Sequence, residues 1–300
     1  MEFYSNGKLL LTGEYVILNG ALSLALPTIY GQYLKVKNNP SNKIKWISYD
    51  NNEKIWFNCE FDKDNLEVIF SSSDKISDRL KKIISCIRIV NTDFLKLNGS
   101  EIITKLTFNK NWGLGSSSTL INNLAEFAKI DPYFLNDKIF KGSGYDIACA
   151  KSNTSLLYKI HGNKRTVKKI NFDPPFKDKL YFVYLNKKTN SLEEIKKFKK
   201  IKNQKMYIEE ISNITSQIIS CNSQIEFNSL IKEHEDIISK LTARETVKNI
   251  LFSDFKGEIK SLGAWGGDFI LASSCELTTD YFRNKGYNHI FKYNELIMNQ

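Results

Sequence analysis

Apolar residues recur at two spacings along this chain, and the alternation between them predicts a mixed α+β protein. Continuous or period-two apolar stretches at 7–11, 33–37, 55–57, 102–108, 180–185, 258–262 and 269–273 predict strands. Helical spacing predicts amphipathic helices over Asp74–Val90, 119–129, 207–219 and 225–241, with a shorter one within 242–252. The first puts Ile76, Leu80, Ile83, Ile84 and Ile87 on one face, and the second Leu120, Leu124, Phe127 and Ala128. His234 shares the apolar face of 225–241 with Phe227, Leu230, Ile231, Ile237, Ile238 and Leu241, which predicts a packed histidine rather than a catalyst. Asn19-Gly20 predicts a hairpin turn, and Pro27 predicts the end of the apolar run 21–26. Pro174-Pro175 predicts a junction between two domains, 1–173 and 174–300.

Composition narrows the class. A chain of 300 residues with 42% hydrophobic and 12% aromatic content can bury a large core, in one large or two ordinary domains. No apolar run reaches 18 residues, and no basic segment precedes a hydrophobic one at the start. The expectation is a cytoplasmic protein with no membrane partner, monomeric or homodimeric. Five widely spaced cysteines without a CxxC pair predict reduced thiols and no structural zinc. The net charge of +10 raises the question of nucleic acid, but no zinc-finger, helix-turn-helix or aromatic-basic pattern accompanies it. A solvated basic surface or an anionic small substrate remains.

Three segments carry candidate chemistry. In Gly113-Leu114-Gly115-Ser116-Ser117-Ser118, a glycine-serine loop joins a strand to a helix. Such a loop aims free backbone N–H groups and the helix dipole at one place, a cradle for phosphate; a serine-capped helix after a glycine turn is the plainer alternative. It lacks the lysine of a P-loop and the spacing of a dinucleotide fingerprint. Near the start, Lys8 enters an apolar strand and Glu14-Tyr15 follows the Thr12-Gly13 turn; charge there needs a partner, which an anionic ligand would supply. In Gly142-Ser143-Gly144-Tyr145-Asp146, two glycines bring a carboxylate to where a ligand can approach, as a general base or as a simple cap.

Taken in order, Lys8 with Gly13-Glu14-Tyr15, the 113–118 loop, Ser143-Gly144-Tyr145-Asp146 and Leu262-Gly263-Ala264-Trp265-Gly266-Gly267-Asp268 resemble the motifs of the GHMP kinases. That superfamily includes homoserine, galactose, mevalonate and phosphomevalonate kinases, and the motifs span nearly the whole chain. The resemblance implies a two-domain α+β fold with its active site in the cleft between domains, and the cofactors ATP and Mg²⁺. It implies that Gly113, Leu114, Gly115, Ser116, Ser117 and Ser118 hold the nucleotide, with Ser117 also a metal ligand. Asp146 would deprotonate the acceptor hydroxyl and Lys8 stabilise its charge. Glu14, Tyr15, Ser143, Gly144, Gly263, Ala264, Gly266 and Gly267 would bind substrate. Glu14-Tyr15 and Gly-Gly-Asp are similar to phosphomevalonate kinases, whereas 19–27 is closer to mevalonate kinases.

The chain also departs from that pattern. Asn109-Lys110-Asn111-Trp112 stands where the family has Pro and Gly, and Trp112 and Trp265 replace small residues, which predicts a reshaped nucleotide pocket. The metal-binding glutamate of mevalonate kinases has no counterpart in 133–141, leaving Asp137 or Glu126 as substitutes, or an ion held mostly by ATP oxygens and waters. A catalytically weak or inactive relative, or a kinase for homoserine or a sugar, is the alternative reading.

Overall fold

The computed structural model describes residues 1–162, 164–187, 205–263, 267–274 and 278–298. Two compact units form, each from non-consecutive segments: residues 1–7, 30–110 and 114–151 in the first, and 8–29, 111–113 and 152–300 in the second. The boundary read from Pro174-Pro175 lies inside the second unit. On either side of it, the Phe172 carbonyl accepts from Tyr293 Oη at 2.6 Å and Phe176 stacks on Phe227.

In the first unit, β3 (Lys43–Tyr49) pairs antiparallel with β4 (Ile55–Asp62) and parallel with β6 (Gly99–Leu106). The edge strand β5 (Val68–Ser71) lies against β4, and the later half of β2 (Ser23–Asn39) lies against β6. Residues alternate between core and solvent along β3, as period-two patterning requires. Helix α1 (Asp74–Val90) buries Leu80, Ile83, Ile84 and Ile87 on this sheet, the stripe its sequence spells out. Helices α2 (Ser116–Ala128), α3 (Pro132–Ile139) and α4 (Tyr145–Ala150) complete the core through Ile121, Leu124, Leu135 and Ile147.

In the second unit, β1 (Glu2–Leu10) carries the chain in from the first unit and pairs with β2. The early half of β2 pairs with β7 (Leu156–His161), which is followed by β8 (Lys164–Lys169). A second, antiparallel sheet runs in the order β10 (Glu258–Leu262), β11 (Phe269–Ser273), β9 (Leu180–Tyr184), β12 (Ile290–Lys292). The helices are α5 (Lys205–Ser220), α6 (Gln224–Thr242), α7 (Val247–Leu251), α8 (Thr278–Asn284) and α9 (Tyr293–Leu296). Among the described residues no helix is long and apolar enough to cross a membrane.

Two local expectations are corrected. Asn19-Gly20 makes no hairpin: Val16–Asn19 is a 3-10 turn, and Gly20 ends it in the left-handed conformation at φ 94°. Pro27 does not end a strand, since β2 runs through it. Its missing N–H is tolerated because Pro27 falls between the ladder to β7, which ends at Ala25, and the ladder to β6, which begins at Gln32.

Candidate active site

Candidate residues occur in both units. In the first, helix α2 begins at Ser116, so the three serines form its first turn rather than the loop before it. Gly115 caps it in the left-handed conformation, φ 92°, with no side-chain cap. The serine-capped alternative is thereby replaced: a glycine N-cap leaves the first N–H groups without a side-chain acceptor, as a phosphate site requires. Ser118 Oγ turns back to the Gly115 carbonyl at 2.8 Å, whereas Ser117 is exposed. Thr119 Oγ1 donates to Gln32 Oε1 at 2.7 Å, and Asn123 Nδ2 to the Gln32 carbonyl at 2.8 Å, anchoring the helix start to β2. Polar Asn122 and Asn123 are buried beside Ile121 and Leu124, a contribution that apolar periodicity alone misses.

Gly144 begins α4 in the same way, at φ 87°, and Ser143 before it is buried. Asp146 sits half-buried in the first turn, where its Oδ1 accepts the Ile147 N–H at 3.1 Å. Of the two substitute metal ligands, Glu126 is excluded by helix geometry. It lies nine residues beyond Ser117 on α2, about 13 Å along the axis. Asp137 is exposed and accepts from Asn136 Nδ2 at 3.1 Å. Among the described residues no cluster of three or more His, Cys, Asp or Glu side chains forms a metal cage. A single hydroxyl at Ser117 nevertheless fits Mg²⁺, which keeps its waters and takes most other ligands from phosphates.

In the second unit, Lys8 lies half-buried on β1. The chain then turns sharply: Gly13 adopts φ 95°, and a β-carbon there would collide with the Ser23 side chain. Tyr15 follows at φ 64°, ψ −55°, a strained conformation for an aromatic residue that costs about 1–3 kcal/mol unless its surroundings impose it. Glu14, between them, is 2% exposed. Its Oε1 accepts from Lys260 Nζ at 2.8 Å, and Lys260, 0% exposed on β10, also reaches Glu235 Oε1 at 3.4 Å. Glu235 Oε2 accepts from Ser261 Oγ at 3.0 Å, while His234 Nε2 accepts the Gly13 N–H at 3.1 Å. Burial pushes the Glu14 carboxyl up to about 7, outweighing the Lys260 ammonium, and raises Glu235 for the same reason. His234 is held well below its ordinary value by burial and then by the Lys260 charge. His234 is the packed histidine its stripe predicts, but Lys260 and Glu235 are functional candidates that sequence reasoning missed. The available signal was a lysine inside a predicted strand and a glutamate at i+4 from Ile231 and i−3 from Ile238 on the apolar face of α6.

The third glycine loop lies partly outside the described residues, which exclude Ala264, Trp265 and Gly266. Gly263 adopts φ 76°, Gly267 is buried, and Asp268 adopts φ 55° with its N–H donated to the Lys187 carbonyl at 2.7 Å. The second lysine of that pair, Lys188, also lies outside the described residues. Trp112 is buried. It packs edge-on against Phe269, His289 and Phe291 in the second unit. Gly113 follows at φ 70°, and a β-carbon on it would run into the Asp268 carboxylate. Gly113→Ala is therefore expected to cost about 2 kcal/mol or more, the left-handed penalty plus the clash. Gly286→Ala, at φ 88° in open space, should show the conformational penalty alone. Urea midpoints of the two variants compare them, and equal losses would remove the clash from the argument.

Comparison with known proteins gives a result at the level of fold. No family profile matches the sequence, and no curated protein matches it. Solved structures do. Mevalonate kinase of Methanococcus jannaschii superposes with a TM-score of 0.72 at 16% identity, covering 100% of this chain and 98% of that one. Phosphomevalonate kinase of Streptococcus pneumoniae, in complex with phosphomevalonate and AMPPNP, gives 0.71 at 14% identity, covering 97% and 99%. Lactococcus lactis galactokinase complexed with galactose gives 0.70 at 14% identity, covering 99% and 93%. The α+β architecture is thus shared with these solved kinases.

Proposed function

From a chain with the GHMP-kinase fold along its full length, we propose an ATP-dependent kinase of that type, phosphorylating mevalonate or 5-phosphomevalonate. The observation that carries the reading is the glycine-capped N-terminus of α2, which falls in the chain where the resemblance requires a phosphate loop. Backbone N–H groups of 114–118 hold the ATP phosphates against the helix dipole, together with Gly113. Asp146 takes the proton of the acceptor hydroxyl, whose oxygen bonds to the γ-phosphorus as the bond to the bridging oxygen of ADP breaks. Lys8 offsets charge on that acceptor oxygen. Phosphoryl transfer asks mainly for positioning and electrostatics, so two reacting side chains suffice. Ser117 would hold Mg²⁺ with the nucleotide, and the ion would neutralise phosphate charge.

Tyr15, Ser143, Gly144 and the 263–267 loop bind the acceptor in this reading, and Glu14 supports the turn that carries Tyr15. The isoprenoid acceptors are preferred over homoserine and sugars because of Glu14-Tyr15 and Gly267-Asp268. A cytoplasmic location and a monomer or homodimer complete the proposal.

An ADP-release assay with Mg-ATP and mevalonate, 5-phosphomevalonate, homoserine or galactose tests it. Turnover is expected with one of the first two. Turnover confined to galactose or homoserine would overturn the substrate assignment. Silence with all four, despite measurable ATP binding, would overturn the kinase itself.

A further inference from the structure

Four buried side chains of the second unit meet, and their charges do not balance. The Lys260 ammonium faces two carboxylates, Glu14 and Glu235, with the His234 imidazole alongside. An interior of low dielectric tolerates a surplus charge poorly unless a proton or hydrogen bond removes it. The hydrogen bonds show where the surplus falls. Lys260 Nζ directs its donors to Glu14 Oε1, Glu235 Oε1 and the Ser261 carbonyl, at 2.8, 3.4 and 3.1 Å. Glu235 Oε2 is satisfied by Ser261 Oγ.

Among the described residues no hydrogen-bond donor reaches Glu14 Oε2, which is buried. It lies 3.3 Å from His234 Nε2, a nitrogen already used as an acceptor by the Gly13 N–H. Two acceptors at that distance repel. One proton on Glu14 Oε2 turns the contact into an O–H···N interaction that shares the single Nε2 lone pair with the Gly13 N–H, as a three-centre bond, and cancels the surplus charge in the same step.

We infer that Glu14 is the protonated member of this network, donating to His234 Nε2, and that Lys260 is a positioning residue that holds the 13–15 turn through Glu14. The turn needs holding because Tyr15 is strained. It is gripped at Gly13 by the imidazole, at Glu14 by the ammonium, and through the backbone by Val16 N–H to the Glu14 carbonyl (2.8 Å) and Ile17 N–H to the Gly13 carbonyl (2.9 Å). The consequence for the acceptor rests on the kinase reading, in which Tyr15 borders the substrate; the network itself does not depend on it.

The groups that face Glu14 are Lys260 from β10 and His234 and Glu235 from α6, so its titration can be isolated by substitution. In the unfolded chain Glu14 loses its proton near 4.5; in the folded chain it keeps it to about 7. Across that window the folded state binds one more proton, so wild type gains stability relative to Glu14→Gln as pH falls. The amide of Glu14→Gln supplies the N–H that His234 Nε2 would otherwise receive from the carboxyl. The ratio of the two folding constants, from urea denaturation at pH 4.5 to 8, is expected to change about tenfold per pH unit between 5 and 6.5 and level off above 7. A ratio constant across the range overturns the shared proton.

Lys260→Met tests the second half by hydrogen exchange, which is local where stability is global. Amides of 16–18 should exchange at least tenfold faster relative to those of α2, and KM for the acceptor should rise at least tenfold with the Kd of Mg-ATP within twofold. Acceleration spread equally over all elements would make Lys260 merely structural and overturn its positioning role. Local acceleration with an unchanged KM would overturn its link to the acceptor. Absence of turnover in wild type would sink the kinase reading alone, because the pH ratio and the exchange pattern are read without it.

Discussion

Asp146→Asn is expected to lower kcat by about 10²–10⁴-fold, the usual contribution of a positioned general base, while leaving the Kd for Mg-ATP within twofold. The substitution is nearly isosteric. Asp146 Oδ1 accepts the Ile147 N–H at 3.1 Å, and an asparagine oxygen can accept the same bond. The fold of α4 and its glycine N-cap should therefore persist, with only the basicity removed. In the proposed reading nucleotide contacts come from the start of α2, a different helix, which is why ATP affinity serves as the control. Single-turnover ADP release with the active acceptor and calorimetric ATP binding measure the two quantities. Unchanged kcat would show that the acceptor proton leaves by another route.

The second large effect concerns stability. Lys260→Met is expected to cost about 3–5 kcal/mol near neutral pH, because it leaves Glu235 buried without its counter-ion and Glu14 Oε1 without its donor. Both carboxyls already lie above their ordinary range through burial, and loss of the ammonium raises them further. The cost has a definite sign with pH. At acid pH the two groups are neutral in the folded chain and the loss is smallest; as pH rises, keeping them protonated or burying their charge becomes increasingly unfavourable relative to the unfolded chain. The double variant Glu14→Gln/Lys260→Met should recover part of the loss, since one buried titrating carboxyl is gone. Urea denaturation of wild type and both variants at pH 5 and 8 checks the pattern. Equal losses at the two pH values would mean that packing of the lysine stem, rather than its charge, accounts for the cost.

Local patterning and tertiary constraint contributed differently along the chain. Helix α1 matches its apolar stripe from Asp74 to Val90, and β10 and β11 match their expected spans, because a strong period in a well-bounded segment admits one buried face. The start of α2 was misplaced, since the glycine N-cap draws the serines into the helix and serine itself reads as a cap. Asn19-Gly20 has the composition of a hairpin turn, but β2 pairs with β6 and β7, and the glycine instead closes a 3-10 turn. Trp112 invited a functional reading from its place in a motif; its partners Phe269, His289 and Phe291 are remote in sequence and make it core.

The sequence by itself determines the class of this protein, its main helices and strands, and the short motifs in which glycine, serine, lysine and aspartate stand in a telling order. Those features are local: a period, a turn residue, a spacing. Only the tertiary structure decides that Glu14 meets Lys260, 246 residues away, and that Glu235 and His234 join them. A buried charge is defined by what surrounds it, and here a turn, a strand and a helix from distant parts of the chain supply the surroundings.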